Sequence, residues 1–397
     1  MFQNVRYYPG DPILGLIDKY NVDPNPNKVN LGVGVYYDNE GRLPILECVK
    51  TVEKQLAQQN IPHNYLPMDG LAGYRQACQN LLFGTQHEAV QSGRIATIAS
   101  LGGSGALRVG AEFIHQWFPR ANIYVSNPTW GNHISIFEGA GFTVKKYPYY
   151  DPATNGLKIE ELKQFLQQLD AGNIILLHPC CHNPTGIDPT ASEWDELLTI
   201  IKEKKLIPFM DFAYQGLGDD LEQDTYAIRK AVDLGFCLYI SNSFSKNMSL
   251  YGERVGALSV VCPNQEQAKI VQSQLKFIIR RFYSSPPGHG NYIVDQVLNN
   301  ADLFNQWQQE VTEMRERIHA MRFRLHEVLQ SSVPGRDFSF LTKQRGMFSF
   351  TGLNSEQVAR LQSEFSIYIV ENGRMCIAGL NTKNIDYVAE AMAKVLT

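Results

Sequence analysis

A short polar stretch, Ser241 to Gly256, holds the residues of this sequence that are best suited to chemistry. It reads S-N-S-F-S-K-N-M-S-L-Y-G-E-R-V-G and contains one lysine, one arginine, one glutamate and five hydroxyl-bearing residues. Lys246 has Ser243 three residues before it and Arg254 eight residues after it. A lysine that is partly removed from water can lose its proton near neutral pH, and such an amine forms Schiff bases with aldehydes. A forked cation beside a hydroxyl suits a phosphate group.

Two other interpretations of this stretch stay open at this level. An ordinary polar loop with a solvated lysine would show the same spacing. The S-x-x-K pattern also belongs to penicillin-binding proteins, in which the serine is acylated, but that class needs a K-T-G element and the sequence has none. Residues elsewhere in the chain therefore decide between a Schiff-base lysine, a serine nucleophile at Ser243 and a plain loop.

The elements around this stretch alternate between apolar strands and helical segments from about residue 70 to residue 262. This alternation predicts an α/β domain with a mainly parallel, seven-stranded sheet, in which ligands bind beyond the carboxyl ends of the strands. The predicted strands are Ile95–Ser100, Ile123–Ser126, Phe142–Tyr147, Ile174–His178, Leu206–Met210, Leu238–Ser241 and Leu258–Val261. An earlier strand is predicted from Val29 to Tyr37.

Glycines follow the first strand of this series. Gly103, Ser104 and Gly105 open a predicted helix, whose free N–H groups can bind a phosphate. A nucleotide-binding fold could use the same element, although the G-x-G-x-x-G spacing is absent. After the fourth strand, Asn183 lies in a turn and could hydrogen-bond a ligand.

Aromatic and charged residues follow two other strands. Trp130 could stack on a flat ring or belong to the core, and His133 could support a ligand-binding group or be a core histidine. Asp211 ends a buried strand, where a charge needs a cationic partner, although it could instead cap a helix. Tyr214 could face the same cavity. Jointly these residues suit one cofactor, a pyridine aldehyde bearing a phosphate.

The composition limits the classes of partner. Hydrophobic residues make up 44% and charged residues 19% of the 397 residues, which is typical of a soluble globular protein with two domains. The net charge of -4 gives no reason to expect nucleic acid or a membrane as partner. Seven scattered cysteines suggest reduced thiols in a cytoplasm. Cys180-Cys181-His182 lacks a second metal-binding pair nearby, so no metal is expected.

Several motifs together resemble those of one enzyme family. The segments N-P-T-W-G-N-H, H-N-P-T-G, D-F-A-Y-Q-G, S-F-S-K and G-E-R-V-G-A are similar to those of the class I aspartate and aromatic aminotransferases, of fold type I. The resemblance runs from D-P-I-L near the N-terminus to G-R-M-C-I-A-G-L-N near the C-terminus. Within the family, the chain looks most like the bacterial aromatic (tyrosine) aminotransferases.

The resemblance implies pyridoxal 5′-phosphate as cofactor and a homodimer with sites shared between subunits. Lys246 would bind the cofactor covalently and move a proton during the reaction, while Asp211, with support from His133, would pair with the ring nitrogen. The other cofactor-binding residues implied by the resemblance are Gly103, Ser104, Gly105, Trp130, Asn183, Tyr214, Ser243, Arg254 and, from the neighbouring subunit, Tyr65.

The resemblance also implies substrate-binding residues. Arg374 would bind the α-carboxylate, and Gly34 would contact the same end of the substrate. Arg280 would bind the distal carboxylate of a dicarboxylic substrate from the neighbouring subunit, although Arg281 beside it could fill this role. The remaining residues of this group are Ile13, Leu14, Tyr37, Trp130, Asn183 and Ser285.

Several positions bear on substrate choice. Tyr37, Leu43, Ser104 and Ser285 resemble the aromatic branch, whereas Val35 and Asn64 resemble the aspartate branch. Apolar contact favours a phenyl ring by about 25 cal/mol per Å² buried. The sequence therefore predicts a dual-specificity aminotransferase for phenylalanine, tyrosine and tryptophan as well as aspartate and glutamate, with 2-oxoglutarate as acceptor. The alternative is an aspartate aminotransferase with minor aromatic activity.

The resemblance implies two domains. Residues 46–314 would form the large cofactor-binding domain, and residues 1–45 with 315–397 would form a small α/β domain that includes an N-terminal arm, residues 1–12. A helical stretch from Ala301 to Gln330 is expected to join them.

Overall fold

A computed structural model describes residues 1–8, 10 and 12–397, without the side chains of Pro12 and Leu14. The described chain divides into two compact units. The larger unit spans Pro44–Glu316, and the smaller unit combines Met1–Leu43 with Arg317–Thr397. No helix among the described residues is both long enough and apolar enough to cross a lipid bilayer.

The helices and strands of the described residues are as follows. The strands are β1 Val29–Asn30, β2 Ile95–Leu101, β3 Ile123–Asn127, β4 Val144–Pro148, β5 Tyr150–Asp151, β6 Gly156–Leu157, β7 Ile174–Leu177, β8 Ile207–Phe212, β9 Leu238–Ser243, β10 Val255–Val261, β11 Phe348–Phe350, β12 Ile367–Tyr368 and β13 Arg374–Cys376. The α-helices are α1 Pro12–Val22, α2 Glu47–Gln59, α3 Ala72–Phe83, α4 Glu88–Gln91, α5 Gly102–Trp117, α6 Gly131–Gly139, α7 Ile159–Gln167, α8 Ala191–Glu203, α9 Tyr226–Asp233, α10 Gln265–Phe282, α11 Gly288–Asn299, α12 Ala301–Ser332, α13 Phe340–Lys343, α14 Ser355–Phe365 and α15 Ile385–Leu396. Gln223–Thr225 and Ile377–Gly379 are short 3₁₀ helices.

The larger unit contains the predicted sheet. Its strand order is β2-β10-β9-β8-β7-β3-β4, seven strands among the described residues. Neighbouring strands are parallel except at β10, which is antiparallel to both β2 and β9. The α/β fold and the mainly parallel sheet predicted from the alternating pattern are therefore confirmed, and the bounds of the seven strands predicted for this sheet each lie within three residues of those observed.

The core of the larger unit lies between this sheet and α5. Leu107 and Ile114 of α5 are fully buried, as are Ile98, Phe209 and Leu258 from three strands of the sheet. Burying one such side chain stabilises the fold by about 1.5–3 kcal/mol. Because β9 and β10 are buried along their whole length, the polar segment between them has a fixed start and a fixed end.

The predicted strand from Val29 to Tyr37 is wrong beyond Asn30. The observed strand is β1, which pairs in parallel with β12. The chain then turns locally, since the Val35 N–H donates to the Val33 carbonyl at 3.0 Å. An apolar run with two glycines satisfied the strand pattern, but no neighbouring strand continues the pairing there among the described residues.

The smaller unit is held together by short paired strands and a buried arginine. β11 and β13 pair antiparallel. Arg322, on α12, is 2% exposed, and its guanidinium donates to the carbonyls of Gly346 at 2.7 Å and Phe348 at 2.6 Å as well as to the Ser349 hydroxyl. Hydrogen bonds to several acceptors offset the cost of burying this charge.

Candidate active site

Lys246 lies just beyond the carboxyl end of β9, as the sequence predicts. Its side chain is half-buried, and its Nζ lies 5.5 Å from the ring centroid of Tyr214 and 5.9 Å from that of Tyr251. The charge of Lys246 also lowers the pKa of Asp211, so the amine and this carboxylate share one electrostatic environment. Two aromatic faces and a carboxylate therefore surround a single amine.

Asp211 is a buried carboxylate inside β8, one residue before the end of that strand. His133 Nε2 lies 2.9 Å from its Oδ2. Burial acts to raise the pKa of Asp211, but the hydrogen bond from His133 and the charges of His133 and Lys246 outweigh burial and hold this pKa below its ordinary value. Asp211 is therefore ionised at neutral pH and can pair with a cationic ring nitrogen.

His133 is the first of three histidines whose rings lie next to one another in a row. His133 Nδ1 lies 2.8 Å from the Thr129 hydroxyl, and the His133 and His178 ring centroids are 5.2 Å apart. Burial, followed by the charge of His133, lowers the pKa of His178 to about 3, so His178 is neutral at physiological pH. Burial likewise lowers the pKa of His182 well below its ordinary value. Of these imidazoles, only His133 is placed to donate to Asp211.

Asn183 and Tyr214 are paired. Asn183 Nδ2 lies 3.2 Å from the Tyr214 hydroxyl, and both residues are buried. They follow β7 and β8, which are neighbouring parallel strands, so the fold brings their side chains to the same edge of the sheet. Trp130 precedes α6 and packs edge-to-face on His133, with ring centroids 5.1 Å apart.

The start of α5 forms an anion cradle. Arg254 lies so close to Gly102 that a Cβ on this glycine would be 2.6 Å from the arginine Nη2, and the Gly102 N–H donates to the Arg254 carbonyl at 2.9 Å. A Cβ on Gly103 would be 3.4 Å from the Ser243 Cβ. Ser241 also reaches the cradle, since its hydroxyl donates to the Gly103 carbonyl at 3.2 Å. A helix N-terminus, a guanidinium and serine hydroxyls converge there and suit a phosphate.

The other predicted residues of this helix start are close by. Ser104 and Gly105 occupy the first turn of α5 and are half-buried. A Cβ on Gly105 would lie 2.9 Å from the Leu101 Cβ, so this glycine allows the helix start to fold back on the end of β2. The Ser243 hydroxyl lies 3.1 Å from the Ser245 hydroxyl, which extends the polar rim towards Arg254.

Arg280 and Arg281 differ in their surroundings. The Arg281 guanidinium lies 4.8 Å from the ring centroid of Phe277 on its own helix. Arg280 lines an open concavity of about 540 Å³ together with Arg75 and Lys276, and both of these lie close to Asp69, at 3.5 and 3.6 Å. Arg280 therefore belongs to a basic recess, whereas Arg281 covers an aromatic ring.

Two further predicted residues of the larger unit lie outside the cluster around Lys246. Tyr65 is 92% exposed. Ser285 follows α10 and is half-buried, and its N–H donates to the Tyr283 carbonyl at 2.7 Å. Among the residues that the structure describes, none covers the Tyr65 ring.

In the smaller unit, Arg374 and Gly34 meet at one aromatic ring. The Arg374 guanidinium carbon lies 4.5 Å from the ring centroid of Phe348, and Nη2 donates to the Gly32 carbonyl at 2.6 Å. A Cβ on Gly34 would lie 2.7 Å from the Phe348 ring, so only glycine allows this approach. The buried guanidinium is therefore held on a flat support, which suits two-point binding of a carboxylate.

Three other predicted residues belong to the smaller unit. Tyr37 is half-buried, and burial raises its pKa. Arg317 donates to the Tyr37 carbonyl and to the Tyr36 hydroxyl at 2.9 Å, so this segment is tied to α12. Ile13 is half-buried on α1, while the side chain of Leu14 lies outside the described residues.

Sequence reasoning missed residues that act through shape. Gly102 takes a left-handed φ of +64° beside Arg254, and Phe348 supports both Arg374 and Gly34. His178 was not predicted as a site residue, although its position at the carboxyl end of a predicted strand indicates that it lies near the site. Neither the φ of a glycine nor the packing of a distant phenylalanine can be read from local sequence.

The chain is similar to known aminotransferases along its whole length. A family model described as aminotransferase class I and II matches residues 26–392. A tyrosine aminotransferase of Klebsiella pneumoniae is 52% identical over 399 aligned residues, which cover 100% of both chains.

Two solved structures extend the similarity to the fold. The first is a psychrophilic aromatic amino acids aminotransferase from Psychrobacter sp. B6, cocrystallised with aspartic acid. It is 58% identical in sequence and superposes with a TM-score of 0.99, and the alignment covers 100% of both chains. An aromatic-amino-acid aminotransferase from Burkholderia pseudomallei, covalently bound to pyridoxal phosphate, is 47% identical, with a TM-score of 0.98 and 100% coverage of both chains.

Proposed function

Because the chain belongs to the family of class I and class II aminotransferases, we propose that it transfers amino groups from phenylalanine, tyrosine and tryptophan, and from aspartate and glutamate, to 2-oxoglutarate. The observation that carries this proposal is the 58% identity over the full length to an aromatic aminotransferase that was crystallised with aspartic acid. An aspartate aminotransferase with only minor aromatic activity is the competing assignment.

Pyridoxal 5′-phosphate is the cofactor of this family, and the residues of the larger unit fit it. The glycine-rich start of α5 with Arg254 and Ser243 suits the phosphate, and a single added Cβ at Gly102 would displace the Arg254 guanidinium from this cradle. Asp211 is ionised and can pair with the protonated pyridine nitrogen, and Lys246 supplies the amine for the aldehyde. When bound, the cofactor supplies an aldehyde that carries the amino group and a ring that withdraws electrons from the substrate α-carbon.

The chain's own residues would orient the cofactor ring and move the proton. Asp211 would keep the ring nitrogen protonated because its own pKa is low, and His133 fixes the direction of this carboxylate. Asn183 and Tyr214 would hold the cofactor through an amide and a hydroxyl, and the Trp130 indole would stack on its ring. Lys246 would carry the proton to and from the substrate α-carbon as general acid and base.

The substrate residues divide by the part of the substrate they would bind. Arg374 and Gly34 would take the α-carboxylate, which every amino acid carries. Arg280 would take the distal carboxylate of aspartate, glutamate and 2-oxoglutarate. Tyr37 and Ser285 would widen the pocket and make it more apolar for an aromatic ring, with Ile13 and Leu14 covering the substrate.

A homodimer with shared sites follows from this assignment. Tyr65 and Arg280 are exposed on the single chain, and α10 carries Ile270 and Phe277 with 58% and 54% of their surfaces exposed beside Arg280. An apolar and basic helix face of this kind suits an interface.

We also assign residues 46–314 as the large cofactor-binding domain and the remainder as the small domain. We assign the cytoplasm as the location, since all seven cysteines are free thiols.

Shared sites can be tested by mixing two inactive variants. A dimer of one Lys246→Ala chain and one Arg280→Ala chain has one site with both defects and one site with neither, if Arg280 acts across the interface. Aspartate transamination should therefore reappear on mixing. No recovery in mixed dimers of proven composition would show that each chain uses its own Arg280.

Substrate specificity can be tested by absorption between 300 and 500 nm. We would add phenylalanine, and separately aspartate, to the holoenzyme without any oxo acid. The absorption of the bound cofactor should shift to the shorter-wavelength amine form with both amino acids. A response to aspartate alone would establish the competing assignment, and no response to either would overturn the aminotransferase function.

A further inference from the structure

Two adjacent cysteines and an aspartate form a buried cluster close to the Asn183–Tyr214 pair. Cys180 and Cys181 follow β7, and Asp224 lies in the 3₁₀ helix Gln223–Thr225. The two Sγ atoms and a carboxylate oxygen all lie within 4.8 Å of one another, and the three residues are 5%, 2% and 3% exposed. No step of the proposed reaction uses these groups.

We infer that Cys180, Cys181 and Asp224 bind one soft, thiol-seeking divalent cation, and that an ion bound there inhibits the enzyme. Cadmium represents this class, because soft cations prefer thiolate ligands and accept a carboxylate as third donor. The inhibition rests on the proposed function, whereas the binding does not.

The carboxylate of the cluster is held rigidly. Its Oδ2 accepts the N–H groups of Gly216 at 2.8 Å and Gly218 at 3.1 Å, and its Oδ1 accepts the N–H of Asp219 at 2.9 Å. A carboxylate has about four lone-pair positions, so these three bonds leave one for a further ligand. Asp224 is therefore oriented before any ion binds.

The cysteine side is fixed as well. Cys181 has a left-handed φ of 53°, and its N–H donates to Asp188 Oδ2 at 2.6 Å. The next N–H, of His182, donates to Asp188 Oδ1 at 2.8 Å. This clamp holds the unusual backbone that brings two neighbouring thiols to the same carboxylate, a geometry that adjacency in sequence would otherwise disfavour.

The charge balance favours a divalent ion over other cations. An ordinary cysteine thiol has a pKa of about 8.5, so the empty cluster holds two neutral thiols beside one carboxylate at neutral pH. When the ion enters, two S–H bonds break, two metal–sulfur bonds form, and two protons leave for the solvent. The net charge of the buried cluster is unchanged, so binding creates no uncompensated buried charge.

An ion in this cluster would act on the active site through the backbone. For zinc, the smaller ion of this class, metal–sulfur distances of about 2.3 Å and metal–oxygen distances of about 2.0–2.2 Å draw ligand atoms to within about 4 Å of one another, and a larger ion such as cadmium contracts the cluster less. Cys181 lies two residues before Asn183, and Asp224 holds the N–H of Gly216, two residues after Tyr214. Contraction of the cluster would therefore shift both partners of the 3.2 Å contact between Asn183 and Tyr214.

The test titrates the cofactor-loaded enzyme with cadmium chloride. Calorimetry in two buffers of different ionisation enthalpy gives the stoichiometry and the protons released, and ultraviolet absorption reports thiolate–cadmium bonds. The test variants are Cys180→Ala and Cys181→Ala, singly and together. The control variant is Cys237→Ser, because Cys237 is the exposed cysteine of the chain, at which cadmium would bind if it did not bind in the buried cluster.

We expect one ion per chain with release of two protons, slow loss of activity because the cluster is buried, and recovery with a chelator. Cys237→Ser should behave like wild type, and either alanine variant should lose at least tenfold in affinity. Unchanged binding in both single alanine variants, or binding lost in Cys237→Ser, would overturn the site. Binding of cadmium without loss of activity would overturn the inhibition alone. If the enzyme has no transamination activity before cadmium is added, the proposed function is contradicted, but the measurement of cadmium binding still tests the site.

Discussion

Replacing Gly102 by alanine should weaken cofactor binding through its phosphate. The new Cβ would lie 2.6 Å from Arg254 Nη2 and 3.0 Å from Cζ, so the guanidinium must move away from the start of α5. Losing a hydrogen bond to a charged group costs about 1.5–3 kcal/mol, which corresponds to a rise in Kd of about 10- to 100-fold. The positive φ of +64° should separately lower the free energy of unfolding by about 1–2 kcal/mol.

The assay is a fluorescence titration of cofactor-free protein with pyridoxamine 5′-phosphate, which cannot bond covalently to Lys246. Pyridoxamine, which lacks the phosphate, is the reference ligand, and its Kd should change little. Gly235→Ala is the matched control, since Gly235 has a φ of +83° and nothing within 4 Å of an added Cβ. The control should lose stability but keep its affinity.

Three results would refute this reasoning. The first is a Gly102→Ala protein that binds pyridoxamine 5′-phosphate as tightly as wild type. The second is an equal loss of affinity for pyridoxamine, which would place the damage outside the phosphate cradle. The third is a similar loss of cofactor affinity in Gly235→Ala, which would show that general destabilisation is the cause.

Two further predictions follow from the arginines and the buried histidines. Arg374→Lys should lower kcat/KM about 10- to 100-fold for phenylalanine and aspartate alike, because a lysine cannot form the forked pair with an α-carboxylate, whereas Arg280→Ala should impair aspartate far more than phenylalanine. Steady-state kinetics with both amino acids checks this, and a selective effect of Arg374→Lys would contradict it. The pKa of His178 falls from 6.5 in the unfolded chain to about 3 in the fold, so the unfolded chain binds more protons between these values, and stability is lost as the pH drops below 6.5. His178→Asn should therefore reduce the loss of unfolding free energy between pH 6.5 and pH 5 by about 2 kcal/mol, measured by urea unfolding, and an unchanged pH dependence would contradict a neutral buried His178.

The sheet and its polar edge could be predicted because both depend on local pattern. Buried strands are continuous apolar runs, and polar residues follow them, so the places of Asp211 and Asn183 at the carboxyl ends of strands were predicted from position alone. The pairing of Asn183 with Tyr214, at 3.2 Å, then follows from neighbouring parallel strands. The single antiparallel strand, β10, gives no separate signal, because a fully buried strand looks the same in either direction.

Other parts of the fold and of the candidate sites depend on contacts between residues that are far apart in the sequence. The segment after Asn30 has an apolar strand pattern, yet no neighbouring strand is available to extend its pairing among the described residues. Phe348 is separated from Gly34 by most of the chain, so no local sequence pattern predicts their contact. The third donor of the cysteine cluster, Asp224, lies more than forty residues from Cys181, so a search for metal-binding spacing could not find it.

The most direct test of the account is to identify the lysine that carries the cofactor. The holoenzyme would be treated with borohydride, which makes the bond between lysine and cofactor permanent, and its peptides would be analysed by mass spectrometry. We expect a single pyridoxyl label on Lys246 and none in Lys246→Ala. A label on a different lysine, or a holoenzyme without any labelled lysine, would contradict the assignment of Lys246 and the site built around it.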